Sequence, residues 1–141
     1  METFDNEMRL IFQAKSCNEA LARMTVAAFL TPLNPTLEEL ADTKTAVSEA
    51  VTNAIIHGYG ETEGTVELWC ARSGKEVFFS VKDTGSGIAD IAAAMEPMYT
   101  TKPEMERSGM GFSFMEAFTD ELVVESTPGE GTVVKMKKVI G

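Results

Sequence analysis

The sequence predicts an α+β fold in a single domain, and three observations carry that expectation. A long amphipathic helical pattern lies between Thr36 and Gly58. Two pairs of strand-like segments follow it, near 65–83 and 122–139, each pair joined by a short glycine-bearing turn. Helical and strand-like patterns interleave over all 141 residues with no internal repeat, low-complexity segment or linker, a length that suits one domain.

The first element is a strand near the N-terminus, where Met8, Leu10 and Phe12 alternate with Arg9, Ile11 and Gln13. Asn18 can then cap a helix in which Leu21, Met24, Thr25, Ala28 and Phe29 recur at helical spacing. It ends around Thr31-Pro32-Leu33-Asn34-Pro35, and Arg23 lies off the apolar stripe, free to meet solvent or a partner.

The helix that organises the chain starts at a capping box, Thr36 with Glu39, and Gly58 can stop it in the left-handed conformation. Leu37, Leu40, Val47, Val51 and Ala54 form its packing stripe, while Glu49, Asn53 and His57 follow at i, i+4 and i+8 on roughly the opposite side. An amide oxygen is a hard ligand suited to Mg²⁺, and a carboxylate one turn away can take a proton from an attacking hydroxyl. Taken alone, the Glu49/Asn53 pair reads more readily as a solvated polar face.

A polar turn from Tyr59 to Gly64 leads into strands Thr65–Arg72 and Glu76–Asp83, linked by Ser73-Gly74. This hairpin delivers Asp83 at its end. In Asp83-Thr84-Gly85-Ser86-Gly87 the two glycines suit positive φ and close backbone approach to a ligand, although a single DxGxG match is also a plausible surface turn. Ile91, Ala94 and Met95 predict a short helix cut off by Pro97. The polar stretch from Tyr99 to Ser108, with Lys102, Pro103, Glu104, Glu106 and Arg107, has no core-facing period and reads as a mobile loop. Gly109 and Gly111 then open a helix carrying Phe112, Met115 and Phe118, and free N–H groups at such a start favour an anion such as phosphate. The alternative is a plain helix start with a tight turn. Strands Leu122–Ser126 and Thr132–Val139 close the chain across Pro128-Gly129-Glu130-Gly131.

Composition narrows the function classes. A net charge of −10 argues against a nucleic-acid binder, which needs clustered Lys and Arg, and better suits a basic protein partner. With 44% hydrophobic residues the chain can build a sizeable core. Cys17 and Cys70 are too few for a disulfide framework or a CxxC metal site, and are expected as reduced, partly buried thiols. The opening residues lack the features of a signal peptide and no run is long enough to cross a bilayer, so a soluble, cytoplasmic protein is expected. No GxxxxGK[ST] stretch exists, which excludes a P-loop.

The ordered set of Glu49-x-x-x-Asn53 on a helix, Asp83-x-Gly85-x-Gly87 after a strand, a Thr- and Lys-bearing loop ending in Gly109-Met110-Gly111, and a Gly131-Thr132 turn resembles the GHKL ATPase family. The resemblance runs from Thr36 to Val139. It implies a two-layer α/β sandwich of the Bergerat type, a mixed, mainly antiparallel sheet covered on one face by helices. It also implies that ATP or ADP binds with Mg²⁺, with Asn53 as the metal ligand and Asp83 as partner of the adenine amino group. Gly85 and Gly87 would shape the adenine pocket, and Thr132 would support Asp83. Thr101, Lys102, Arg107, Ser108, Gly109, Met110 and Gly111 would meet the nucleotide from a lid at about 99–109.

Within that family, residues 47–59 and 100–112 resemble the anti-sigma serine-protein kinases of sporulation. By that resemblance Glu49 is the general base that activates a serine of an anti-anti-sigma (STAS-type) protein. The same resemblance implies that Arg23 contacts that protein and the sigma factor, and that the chain forms a homodimer. The competing readings are a binding module gated by nucleotide without turnover, an ATP hydrolase in which Glu49 activates water, and a stress-response anti-sigma kinase. His57, the one histidine of the chain, is expected to be structural, so a complete histidine kinase with its own phosphoacceptor helix is not expected.

Overall fold

The computed structural model describes residues 3–59, 64–85, 111–127 and 129–141. Its elements are β1 (Asn6–Gln13), α1 (Asn18–Leu30), a 3-10 turn (Thr31–Leu33), α2 (Leu37–Asn53), a π-helical turn (Ala54–Tyr59), β2 (Thr65–Ser73), β3 (Glu76–Asp83), α3 (Gly111–Phe118), β4 (Glu121–Thr127) and β5 (Gly131–Val139). The strands form one sheet in the order β1-β2-β3-β5-β4, and all four described pairings are antiparallel. The sequence-predicted helix near Ile91–Met95 and the lid at 99–109 lie outside the described residues.

Period-two alternation places Phe12, Val66, Leu68, Cys70, Val77, Phe79, Val81, Val134 and Met136 on one face, all buried. The helices cover that face in the order of the strands beneath them: α1 meets β2, α2 meets β3, and α3 meets β4. The opposite face is open, with Ile11 63% exposed, as the alternation in β1 predicts. There the ring of Phe4 lies against Trp69 at 5.5 Å and Phe78 at 5.7 Å between centroids.

The hairpin boundaries follow local chemistry. Ser73 pairs with Glu76, leaving Gly74 and Lys75 as the turn, and Gly74 supplies the positive φ of 59°. The capping box of α2 forms in full: Glu39 N–H donates to Thr36 Oγ1 at 3.0 Å, and Thr36 N–H to Glu39 Oε1 at 2.9 Å. Glu39 Oε2 also accepts the Gly141 N–H at 2.7 Å, so the start of α2 is tied to the segment after β5. These contacts hold the Glu39 carboxyl below the usual range, the Gly141 and Thr36 N–H groups acting first.

Several expectations are corrected. The inward face of α1 is Ala22, Val26, Phe29 and Leu30, whereas Leu21 and Met24 are 47% and 62% exposed. Both phases satisfy helical spacing, and packing on the sheet and α2 selects the one that buries Phe29 with Leu30. Asn18 does not cap α1; its Nδ2 donates instead to the Gln13 carbonyl at 2.8 Å, tying the helix start to β1. Leu37 is 86% exposed, because the first turn of α2 stands outside the core; the buried stripe holds from Ala46 and Val47 through Ala54. Gly58 falls inside the π turn, which continues to Tyr59, so the helix does not stop at Gly58. Cys70 is fully buried but Cys17 is exposed.

Candidate functional site

The C-terminal half of α2 presents Glu49 and Asn53 one turn apart, each at intermediate exposure, while Val47, Ala50 and Val51 fill the core. The two faces predicted for this helix are therefore distinct in the structure. Regular α geometry ends at Asn53, where the Ala54 N–H is shared between the carbonyls of Ala50 and Val51. The π turn that follows is wider than an α turn. His57 lies within that turn, Ala54–Tyr59.

That π turn packs against β3 and β5, the two strands that bring Asp83 and Thr132 together. Asp83 and Thr132 are register partners, each only 4% exposed. The Asp83 carboxylate accepts the Gly85 N–H at 2.9 Å and also the Thr132 N–H. Burial pushes the Asp83 carboxyl above its usual range, and these two N–H donors pull the other way without cancelling it.

Thr132 supports Asp83 through its backbone, while its hydroxyl is engaged elsewhere. Ser126 Oγ donates to the Gly131 carbonyl at 3.0 Å and lies 2.8 Å from Thr132 Oγ1. Since Ser126 has one hydroxyl proton, Thr132 is the donor to it. Gly131 has φ 117°, and a Cβ there would meet the Asp83 carbonyl oxygen and stand 2.7 Å from Thr84 Cα. The base of the site thus requires glycine beside Thr132. The Gly131-Thr132 turn marked Gly131 in the sequence, whereas Ser126 did not stand out as a site residue, although the hairpin register that pairs it with Thr132 was the signal that could have found it.

Gly85 is partly buried at the close of β3, and Gly111 opens α3. Gly87, Thr101, Lys102, Arg107, Ser108, Gly109 and Met110 lie outside the described residues. Arg23 is not part of this assembly of β3, β5 and α2; it lies on α1, 3.6 Å from Glu19, with 43% of its side chain exposed.

Among the described residues no group of three or more His, Cys, Asp and Glu side chains could hold a metal. One amide oxygen at Asn53 fits Mg²⁺ delivered on nucleotide phosphates, since that ion keeps waters and takes few protein ligands. A buried carboxylate oxygen at Asp83 fits recognition of an exocyclic amino group. Among the described residues no helix is long and apolar enough to cross a membrane.

Known proteins resemble this chain in sequence and in fold. Residues 12–138 match the histidine kinase-like ATPase domain family. The anti-sigma F factor of Clostridium kluyveri is 56% identical over 136 residues, covering 96% of each chain. That of Thermoanaerobacter sp. (strain X514) is 55% identical over 138 residues, covering 98% of this chain and 96% of its own. A solved structure of RsbU and RsbW domains from Mycobacterium tuberculosis superposes with a TM-score of 0.70 at 20% identity, over 96% of this chain and 32% of that one. That likeness concerns the fold.

Proposed function

The chain belongs to the histidine kinase-like ATPase family and, within it, to the anti-sigma F factors, and from that premise we propose that it is a Mg-ATP-dependent protein serine kinase that also sequesters a sporulation sigma factor. Its substrate is an anti-anti-sigma protein of the STAS type, which phosphorylation inactivates. It works as a homodimer in the cytoplasm, the whole chain forming one ATPase domain.

The observation that carries this reading is the meeting of two different chemistries on neighbouring elements. A buried carboxylate at Asp83 can read adenine, and α2 above it exposes a carboxylate and an amide one turn apart. Phosphoryl transfer asks mainly for positioning and charge stabilisation. Asp83 accepts from the adenine amino group and fixes the base. Asn53 would hold Mg²⁺ through its amide oxygen, and the metal when bound would neutralise charge on the phosphates. Glu49 accepts the proton of the attacking serine hydroxyl as the serine oxygen bonds to the γ-phosphorus and the bond to the ADP oxygen breaks. Gly109 and Gly111, with Lys102 or Arg107, cradle the phosphates. Arg23 meets the two protein partners.

The test is transfer of γ-labelled phosphate from ATP to a purified anti-anti-sigma protein with Mg²⁺, with Glu49→Gln alongside. Label on a partner serine, reduced roughly 10²–10⁴-fold in the variant while ATP still binds, supports the kinase and its base. Free phosphate without labelled partner favours a hydrolase. ATP binding with neither product favours a nucleotide-gated binding module. Equal loss of binding and transfer in the variant overturns the base assignment.

A further inference from the structure

Between α1 and α2 one acidic side chain faces two ways. Glu19 lies in the first turn of α1 with only 14% of its side chain exposed. Its Oε1 accepts the hydroxyl proton of Ser48, a buried residue of α2. The same oxygen is 3.6 Å from Nη1 of Arg23, one turn along α1 and much more exposed. Ser48 directly precedes Glu49 in the chain. A single carboxylate oxygen therefore joins a solvent-facing cation on α1 to the helix that bears Glu49 and Asn53.

We propose that Glu19 is a positioning residue that couples capture of Arg23 by an acidic group of a protein partner to the setting of α2. The proposal rests on the functional reading given for Arg23, Glu49 and Asn53. An i,i+4 ion pair on a helix surface contributes little by itself. What distinguishes this pair is that its carboxylate is mostly withdrawn from water and also accepts a hydrogen bond from a second helix. When Arg23 turns to a partner's carboxylate, Glu19 loses its cation and relies more on the Ser48 hydroxyl, since a buried anion gains most from its remaining donors. The α1–α2 contact tightens next to Glu49, whose service as a base depends on sub-ångström placement. Linkage makes any change this brings in ATP affinity reciprocal: ATP held through Asn53 on α2 alters the partner's affinity at Arg23 by the same factor.

The experiment is a double-mutant cycle in the full chain with Arg23→Ala, Ser48→Ala and both together. ATP dissociation constants, kcat and KM for phosphate transfer, and Tm are measured for each. Removing Arg23 reproduces the state of Glu19 when a partner has taken its cation. Arg23→Ala is expected to change ATP affinity or kcat by about fivefold or more when Ser48 is present, and less than about twofold in the Ser48→Ala background. Ser48→Thr, which keeps the hydroxyl, restores the dependence. Equal factors in both backgrounds, including no effect in either, overturn the coupling while leaving ATP binding and the kinase reading intact. A wild-type chain that binds no ATP overturns the functional reading and this proposal with it.

Discussion

Asp83 and Thr132 face each other across the β3–β5 pair, and the Thr132 N–H points at the Asp83 carboxylate. Together with the Gly85 N–H, this arrangement holds a carboxylate in a nearly closed environment at the end of a strand. Donors satisfy part of the carboxylate, yet burial still dominates and raises its pKa. Such a group is retained against the preference of the fold, which accords with a role in ligand recognition.

Asp83→Asn separates those two roles. An acid whose folded pKa is raised contributes stability below its unfolded pKa, and that contribution is lost as pH rises through the folded value. The variant has no such ionisation. Its melting temperature is therefore expected to gain on the wild type as pH increases from about 4 toward 7, read by calorimetry across that range. ATP affinity is expected to fall roughly 10–100-fold in the same protein, the scale of one charge-assisted hydrogen bond. Wild-type affinity measured by isothermal titration would remove Asp83 from the adenine site.

Gly131→Ala tests the backbone beneath that carboxylate. At φ 117° an added Cβ drives into the Asp83 carbonyl and Thr84 Cα. Backbone strain and overpacking together are expected to cost about 2–5 kcal/mol in urea unfolding. Gly74→Ala, whose Cβ would meet nothing within 4 Å although its φ is 59°, should cost less. Equal losses would show that φ alone, and not the close approach at Asp83, is responsible.

The start of α2 offers a test by acid titration. Thr36→Ala removes one half of the capping box and is expected to cost about 1 kcal/mol, roughly 3 °C in Tm. Glu39 has a folded pKa below its usual value, so its contribution is present above the unfolded pKa and disappears as pH falls through the folded one. Glu39→Gln should consequently flatten the acid limb of the Tm-against-pH curve. An unchanged slope below pH 5 would show that the Gly141 and Thr36 contacts do not persist in solution.

The two thiols should differ in reactivity. Cys70 is buried and its pKa is pushed up to about 12 by desolvation, whereas Cys17 is exposed. A disulfide reagent at pH 8 is expected to titrate one thiol quickly in the native protein and two in denaturant. Substitution of Cys17 should abolish the fast phase. Rapid modification at Cys70 would mean that the β2–helix layer opens readily.

Much of this architecture was legible because its causes are local. A hydroxyl three residues before a glutamate made the capping box, and a glycine between two alternating segments made the β2–β3 hairpin. The same locality explains what was misread in α1. Alanine, leucine and methionine in a 13-residue helix support two inward faces, and its charged pair, Glu19 and Arg23, does not mark the outside, because Glu19 turns toward Ser48 of α2 and is mostly withdrawn from water. Asn18 suited a cap by type, but the Gln13 carbonyl within reach won its side chain. The π turn after Asn53 left no trace in the apolar pattern, because Ala54 and Ile55 are buried in either geometry.

By itself the sequence determined the kind and order of elements, the Glu49/Asn53 pairing on one helix face, and the delivery of Asp83 by a strand. These depend on backbone periods and on turn chemistry within a few residues. The tertiary structure alone decided which face of α1 meets the sheet, that a backbone N–H and not the hydroxyl of Thr132 supports Asp83, and that Glu19 joins Ser48 across a separation of 29 residues. Contacts of that kind arise from how layers pack, and no repeat along the chain encodes which distant side chains will share one buried oxygen.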